Sequence, residues 1–126
     1  MYRKSAIRLA GLVLAGFVVS GSAVAAPPAG CPAEDEVRAS VERYILEDWW
    51  SPSQRETWQI ADVGDFSFGP IKYGNPRYSE CPLRMEYSFR VWHNDGRIEE
   101  TRKGVGETFS FYKNDFGEWR FTVGPS

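Results

Sequence analysis

One histidine, His93, and two cysteines, Cys31 and Cys81, are all the imidazole and thiol this chain offers. That scarcity excludes much. Two Cys and one His do not complete a structural zinc site, so no metal is expected. The cysteines form no Cys-x-x-Cys pair, and there is no serine-nucleophile turn or glycine-rich phosphate loop. No catalytic set and no cofactor are therefore expected. No apolar run reaches the ~20 residues that a spanning helix needs, so no membrane span is expected in the processed chain. Positive charge is short as well. Residues 1–26 carry Arg3, Lys4 and Arg8 and no acid, so a formal charge of −2 for the whole chain becomes −5 beyond Ala26. A mildly acidic domain is a poor partner for nucleic acid or an anionic membrane surface.

What is present begins with a targeting pattern. A basic start (Arg3, Lys4, Arg8) leads into an apolar stretch from Leu9 to Ser20, then small residues Ala23-Val24-Ala25-Ala26. This is the layout of a secretory signal peptide, cleaved after Ala25 or Ala26. Residues 1–26 are read as that signal and 27–126 as a single exported domain, in the bacterial periplasm or secreted. Ala29-Gly30-Cys31 resembles a lipoprotein box. Pro28 stands where that box carries an aliphatic residue, and Cys31 lies eleven residues past Ser20, which argues against lipidation. In an oxidising compartment an even pair of cysteines is expected to form a disulfide, Cys31 to Cys81. Closing so long a loop removes about 4 kcal/mol of denatured-state entropy in the chain-entropy account.

Beyond Ala26 the chain holds five Trp, five Tyr and seven Phe, enough ring area for a short domain to build a core. Ala33, Val37, Val41, Ile45 and Trp49 recur at i+4 and predict an amphipathic helix over residues 32–50. Pro32 suits its first position, three acids suit its first turn, and Ser51-Pro52-Ser53 is read as its stop. Residues 57–68 read as a strand, bent at Val63-Gly64-Asp65, and residues 69–81 as an irregular loop holding Tyr73 and Tyr78. Leu83, Met85, Tyr87, Phe89 and Val91 alternate with Arg84, Glu86, Ser88, Arg90 and Trp92, the clearest strand in the chain. Asp95-Gly96 predicts a hairpin into a strand over residues 98–112, kinked at Gly104-Val105-Gly106; Asn114 to Gly117 predicts a second hairpin into Trp119, Phe121 and Val123.

The fold expected is α+β: one N-terminal helix packed on a bent antiparallel sheet of about four strands. In element order over residues 32–123 this resembles the cystatin-like and nuclear-transport-factor-like (steroid-isomerase-like) architectures. In the latter an interior Asp paired with Tyr can shuttle protons, but neither Asp62 nor Asp65 matches that motif, so the resemblance implies no catalytic residue. His93 is read as a solvated turn residue and residues 99–103 as the wet side of an exposed strand.

Trp92 is the informative position. Alternation places it with Arg84 and Arg90 on the wet face, and Trp and Arg dominate contact hot spots. The competing account is cover by the 69–81 loop. Two functions follow. The first is a small exported module that docks a protein or peptide through Trp92, Arg90 and Arg84, as an inhibitor, immunity or envelope-assembly factor. The alternative is a ligand-binding or enzymatic domain with a pocket between helix and sheet, lined by Tyr44, Trp58, Tyr87 and Phe109. Neither the partner nor the oligomeric state follows from the residues.

Overall fold

The computed structural model describes residues 26–125, so the signal-peptide assignment, with its cleavage after Ala25 or Ala26, lies outside the described residues. An α-helix, α1 (Glu34–Tyr44), runs into a π-helical turn at Ile45–Trp49 and is followed by a short helix, α2 (Pro52–Thr57). Seven strands follow: β1 (Ile60–Phe68), β2 (Lys72–Tyr73), β3 (Cys81–Arg84), β4 (Tyr87–His93), β5 (Ile98–Lys103), β6 (Glu107–Lys113) and β7 (Trp119–Pro125). They form two antiparallel sheets, β1-β4-β5 and β2-β3-β6-β7. The class is α+β with the helix packed on sheet, as expected. The strand count is not: about four strands are seven.

The reason lies in the seam between the sheets. The alternation from Cys81 to Val91 is buried at every odd position, without interruption, yet the strand breaks at Met85-Glu86 and its halves join different sheets. Between the Phe68–Tyr87 and Lys72–Arg84 pairs, one side advances four residues and the central run three. Between the Tyr87–Lys103 and Leu83–Phe109 pairs, the other side advances six against four. Extra residues on both flanks are bulges, and bulges bend a strand. Gly104 occupies the inside of the bend at φ +87, and a Cβ there would collide with the Met85 carbonyl oxygen. Only glycine combines that φ with so close a backbone approach. Burial alternation is local and survives the bend; hydrogen-bonded pairing does not.

The helix assignments need two corrections. Pro32 is not in the first turn: Ala33 is the N-cap, at φ −67 and ψ 162, and its N–H donates to Glu36 Oε1 at 3.1 Å. Residues 51–53 start a helix rather than only stopping one. Ser51 Oγ accepts from the Gln54 N–H and Pro52 takes the first helical position, where its missing N–H costs nothing. A Ser-Pro pair that follows one helix is therefore also the start signal of the next. The 57–68 strand consequently begins only at Ile60, and Trp58 caps α2 with 62% of its surface exposed.

The apolar stripe of α1 is buried as its spacing predicts: Val37, Val41 and Ile45 are fully enclosed. They meet the inner faces of both sheets, where Leu83, Phe89, Val91, Phe109 and Phe111 are closed to solvent. Aromatic rings tie the halves together, with Tyr87 between Phe89 and Phe109 (6.5 and 6.1 Å) and Phe121 beside Phe109 and Phe111 (5.7 and 5.1 Å). Each fully buried Phe contributes about 1.5–3 kcal/mol. The Cys31–Cys81 disulfide closes a separation of 50 and fixes the start of α1 to β3, with Cα atoms 5.3 Å apart. Tyr73 adds a second tether, its hydroxyl donating to the Pro32 carbonyl at 2.9 Å.

Candidate functional site

The outer face of the first sheet is set by register. Trp92 stands opposite Asp62 on β1 and Ile98 on β5, and Arg90 opposite Gly64 and Glu100. Gly64 leaves room beneath the indole, since a Cβ there would lie 3.8 Å from Trp92 Cζ3. Trp92 is half-buried, and its neighbour Ile98 keeps 55% of its surface exposed. The segment at residues 69–81 does not cover this indole. Its β2 pairs with β3 in the other sheet, and Tyr78 is exposed. With Tyr73 packed on the core and Tyr78 in solvent, neither ring that the competing account relied on stacks over Trp92.

Arg90 is less available than its place on a wet face suggests. Its Nη1 lies 3.3 Å from Asp65 Oδ2 and its Nε 3.2 Å from Glu100 Oε2. Asp65 reaches it because the β1 bulge holds that residue at φ +54. Arg102 is likewise paired, with Glu86 at 3.3 Å. Exposed pairs of this kind contribute ~0–1 kcal/mol to stability, but they neutralise the face. Arg84, the third expected site residue, lies across the seam on β3. It stands directly opposite Lys72. Like charges facing each other across a ladder are destabilising, and among the described residues neither meets a carboxylate within salt-bridge distance.

Two shallow grooves join these positions. One, of about 350 Å³, runs beside Ser67, Glu86, Ser88 and Arg102. The next, of about 360 Å³, is floored by Gly69 and Gly104 and edged by Lys72 and Arg84. The face thus reads, in order, a cation pair, a polar groove, a neutralised arginine, and an aromatic-aliphatic patch. Sequence alternation found Trp92, Arg90 and Arg84. It missed Lys72, Ile98 and Glu100, although the Asp95-Gly96 hairpin register already places the last two opposite Trp92 and Arg90.

His93 also differs from expectation. Its side chain is only 11% exposed. Nδ1 lies 3.2 Å from an Arg97 guanidinium nitrogen, and Nε2 is buried without a hydrogen-bond partner, 3.5 Å from Glu99. The tight turn folds the ring under Arg97 instead of releasing it to water. Asp62 and Asp65 face water in the bulge, Asp62 Oδ1 accepting from the Val63 N–H. Residues 99–103 form an exposed edge strand. Among the described residues no group of three His, Cys, Asp or Glu comes together to hold a metal, and no helix is long and apolar enough to cross a membrane.

A separate shallow depression lies between the end of α1 and the sheets. Tyr44, Asp48, Trp49, Gln54, Tyr87, Lys103, Glu107 and Val123 line about 340 Å³. Of the four residues expected in such a pocket, Tyr44 and Tyr87 are there. Phe109 lies behind them in the core, and Trp58 is elsewhere in solvent. Burial, with Glu107 and Tyr44 adding to it, pushes the Tyr87 phenol up to about 12. Tyr73 is also raised, chiefly by burial and then by Glu34.

No family model matches this chain, and neither a curated protein nor a solved structure matches it.

Proposed function

We propose that this chain is a small exported binding module, acting in the periplasm or outside the cell, that docks a protein or peptide on the outer face of its bent sheet. The carrying observation is the pairing of half-buried Trp92 with exposed Ile98 on a face the core does not need. The core is filled from the other side by Phe89, Phe109 and Phe111. An aromatic and an aliphatic side chain held together in water support a contact role. Lys72 and Arg84 add charge complementarity to an acidic partner, while the ion pairs around Arg90 keep the middle of the face neutral. Arg84 and Trp92 lie eight residues apart along the bent run, at most about 26 Å at ~3.3 Å per residue, so an extended segment of up to about eight residues reaches both. The occupant proposed is thus a polypeptide with an acidic end and an apolar anchor. The helix seated on a bent sheet supports the cystatin-like or nuclear-transport-factor-like reading of the architecture, which by itself carries no function.

The test compares Trp92→Ala with the parent protein. Capture from an envelope extract is followed by identification of the bound protein, binding of the purified pair, and thermal unfolding. Docking predicts an affinity loss of about 2 kcal/mol or more with a nearly unchanged midpoint. A Trp that serves packing alone would lower the midpoint and leave affinity intact, and that outcome removes this face from consideration.

A further inference from the structure

β5 has an open edge. In the order β1-β4-β5 it is the outermost strand of its sheet, and its six residues pair with β4 without a bulge. The hairpin fixes which way each backbone unit faces. The His93 N–H donates to the Arg97 carbonyl at 2.8 Å, and antiparallel pairs alternate between bonded and non-bonded. Glu99, Thr101 and Lys103 therefore turn their N–H and C=O groups to β4. Ile98, Glu100 and Arg102 turn theirs away from it, where no strand lies among the described residues. Such a row of backbone groups is a template for another strand, and folds blunt it by bulges, by brevity or by charge. β1 is interrupted by register shifts, and β2 has only two residues.

The charges of β5 do not blunt it against its own kind. Its sequence is Ile98-Glu99-Glu100-Thr101-Arg102-Lys103, with the acids before Thr101 and the bases after it. Laid antiparallel on itself about Thr101, the strand sets Glu100 against Arg102 and Glu99 against Lys103, twice each by symmetry. Backbone geometry permits this register, because Glu100 and Arg102 both face outward and can form bonded pairs. The next permitted registers oppose Glu100 to Glu100 or Arg102 to Arg102, which repel. No other edge is self-complementary in this way: β1 carries two acids and no base, and β7 carries Arg120 and no acid. The side chains are available, since Glu100 and Arg102 keep 67% and 76% of their surface exposed despite their partners Arg90 and Glu86. Across the outer face Asp65, Arg90 and Glu100 already alternate in sign, and Arg102 of a second copy continues the row.

We infer that β5 is a self-recognition edge: two copies of this chain join β5 to β5, antiparallel about Thr101, into one six-stranded sheet. The two-fold axis stands perpendicular to that sheet, so both Trp92–Ile98 patches lie on the same side of it. The pairing does not depend on what docks there. The contact is short and bordered by exposed charge, so it is weak and screened by salt.

Sedimentation equilibrium of the purified, disulfide-bonded protein over a rising concentration series is expected to show a monomer–dimer equilibrium that weakens as salt is added. Glu99→Lys with Glu100→Lys, and separately Arg102→Glu with Lys103→Glu, oppose like charges in a homodimer. Each variant is expected to lose self-association by about tenfold or more. Mixed in equal amounts they oppose unlike charges throughout, and the dimer is expected to return. Thr101→Cys tests the register without altering charge. It sets two thiols across a non-bonded pair, with Cα atoms ~4.5 Å apart, and is expected to cross-link the dimer without reductant. Ile98→Cys, which would face Gly104 of the second copy, is expected not to. The inference is overturned if the parent stays monomeric at every concentration, if the mixture associates no better than either variant alone, or if the two cysteine variants cross-link alike.

Discussion

On the outer face of the first sheet Arg90 and Arg102 each have carboxylate partners, whereas across the seam Lys72 and Arg84 stand side by side with none among the described residues. The halves are built from the same two long runs of chain, one either side of the Asp95-Gly96 turn, and their inner faces share one core. Their anchoring differs as well. The second half is pinned to the start of α1 by the disulfide and by Tyr73, while α2 is adjacent to the first half in sequence and buries none of its residues. A rigid, covalently held half can tolerate an unfavourable cation pair. The half without a covalent tether has its charges cancelled. Unpaired charge that a fold does not need for stability is available for a partner.

Three changes sharpen or break this comparison. The largest expected effect comes from removing the tether. Cys31→Ser with Cys81→Ser should cost about 4 kcal/mol in urea unfolding, from loop entropy alone. Amide exchange should then accelerate in β2 and β3 more than in β1 and β4. Equal acceleration on both sides of the seam would mean that the halves are not anchored differently. Next is the seam. Gly104→Ala forces a Cβ against the Met85 carbonyl at φ +87 and should destabilise by about 3 kcal/mol, as strained and overpacked sites do. Gly96→Ala is the control: its φ is also positive, +89, but nothing lies within 4 Å of its would-be Cβ, so it should cost less. Equal losses would show that the bend does not depend on close approach at Gly104. The smallest effect concerns the charges. Arg90→Ala should lower the unfolding free energy by less than about 1 kcal/mol, and Arg84→Ala should leave it unchanged or raise it by a few tenths. If thermal midpoints fell alike for both, Arg84 has a partner and the contrast between the faces fails.

Much of this was legible in the residues. The stripe Val37, Val41, Ile45 needed only helical spacing, and the inner face from Leu83 to Val91 needed only alternation. Both are local consequences of backbone geometry, so they hold whatever the rest of the chain does. The disulfide was legible for another reason, that only one pairing of two cysteines exists. Ser51-Pro52 was misread because the same residues end one helix and begin another, and no single-residue preference separates the two. His93 was placed in water because the Asp95-Gly96 turn locates the backbone but not the direction in which its neighbours' side chains fold.

By itself the sequence determined the class, the helix stripe, the buried side of the strands, both hairpins and the Cys31–Cys81 partnership. Each rests on spacing along the chain or on counting. The tertiary structure alone decided that one alternating run serves two sheets, that Asp65 and Glu100 cancel Arg90, that Lys72 faces Arg84, and that Tyr87 borders one shallow depression with Asp48 and Glu107. Those facts join residues far apart in sequence, and their geometry was fixed by bulges and by a glycine contact at the seam, where the chain departs from the periodicity that makes a sequence readable.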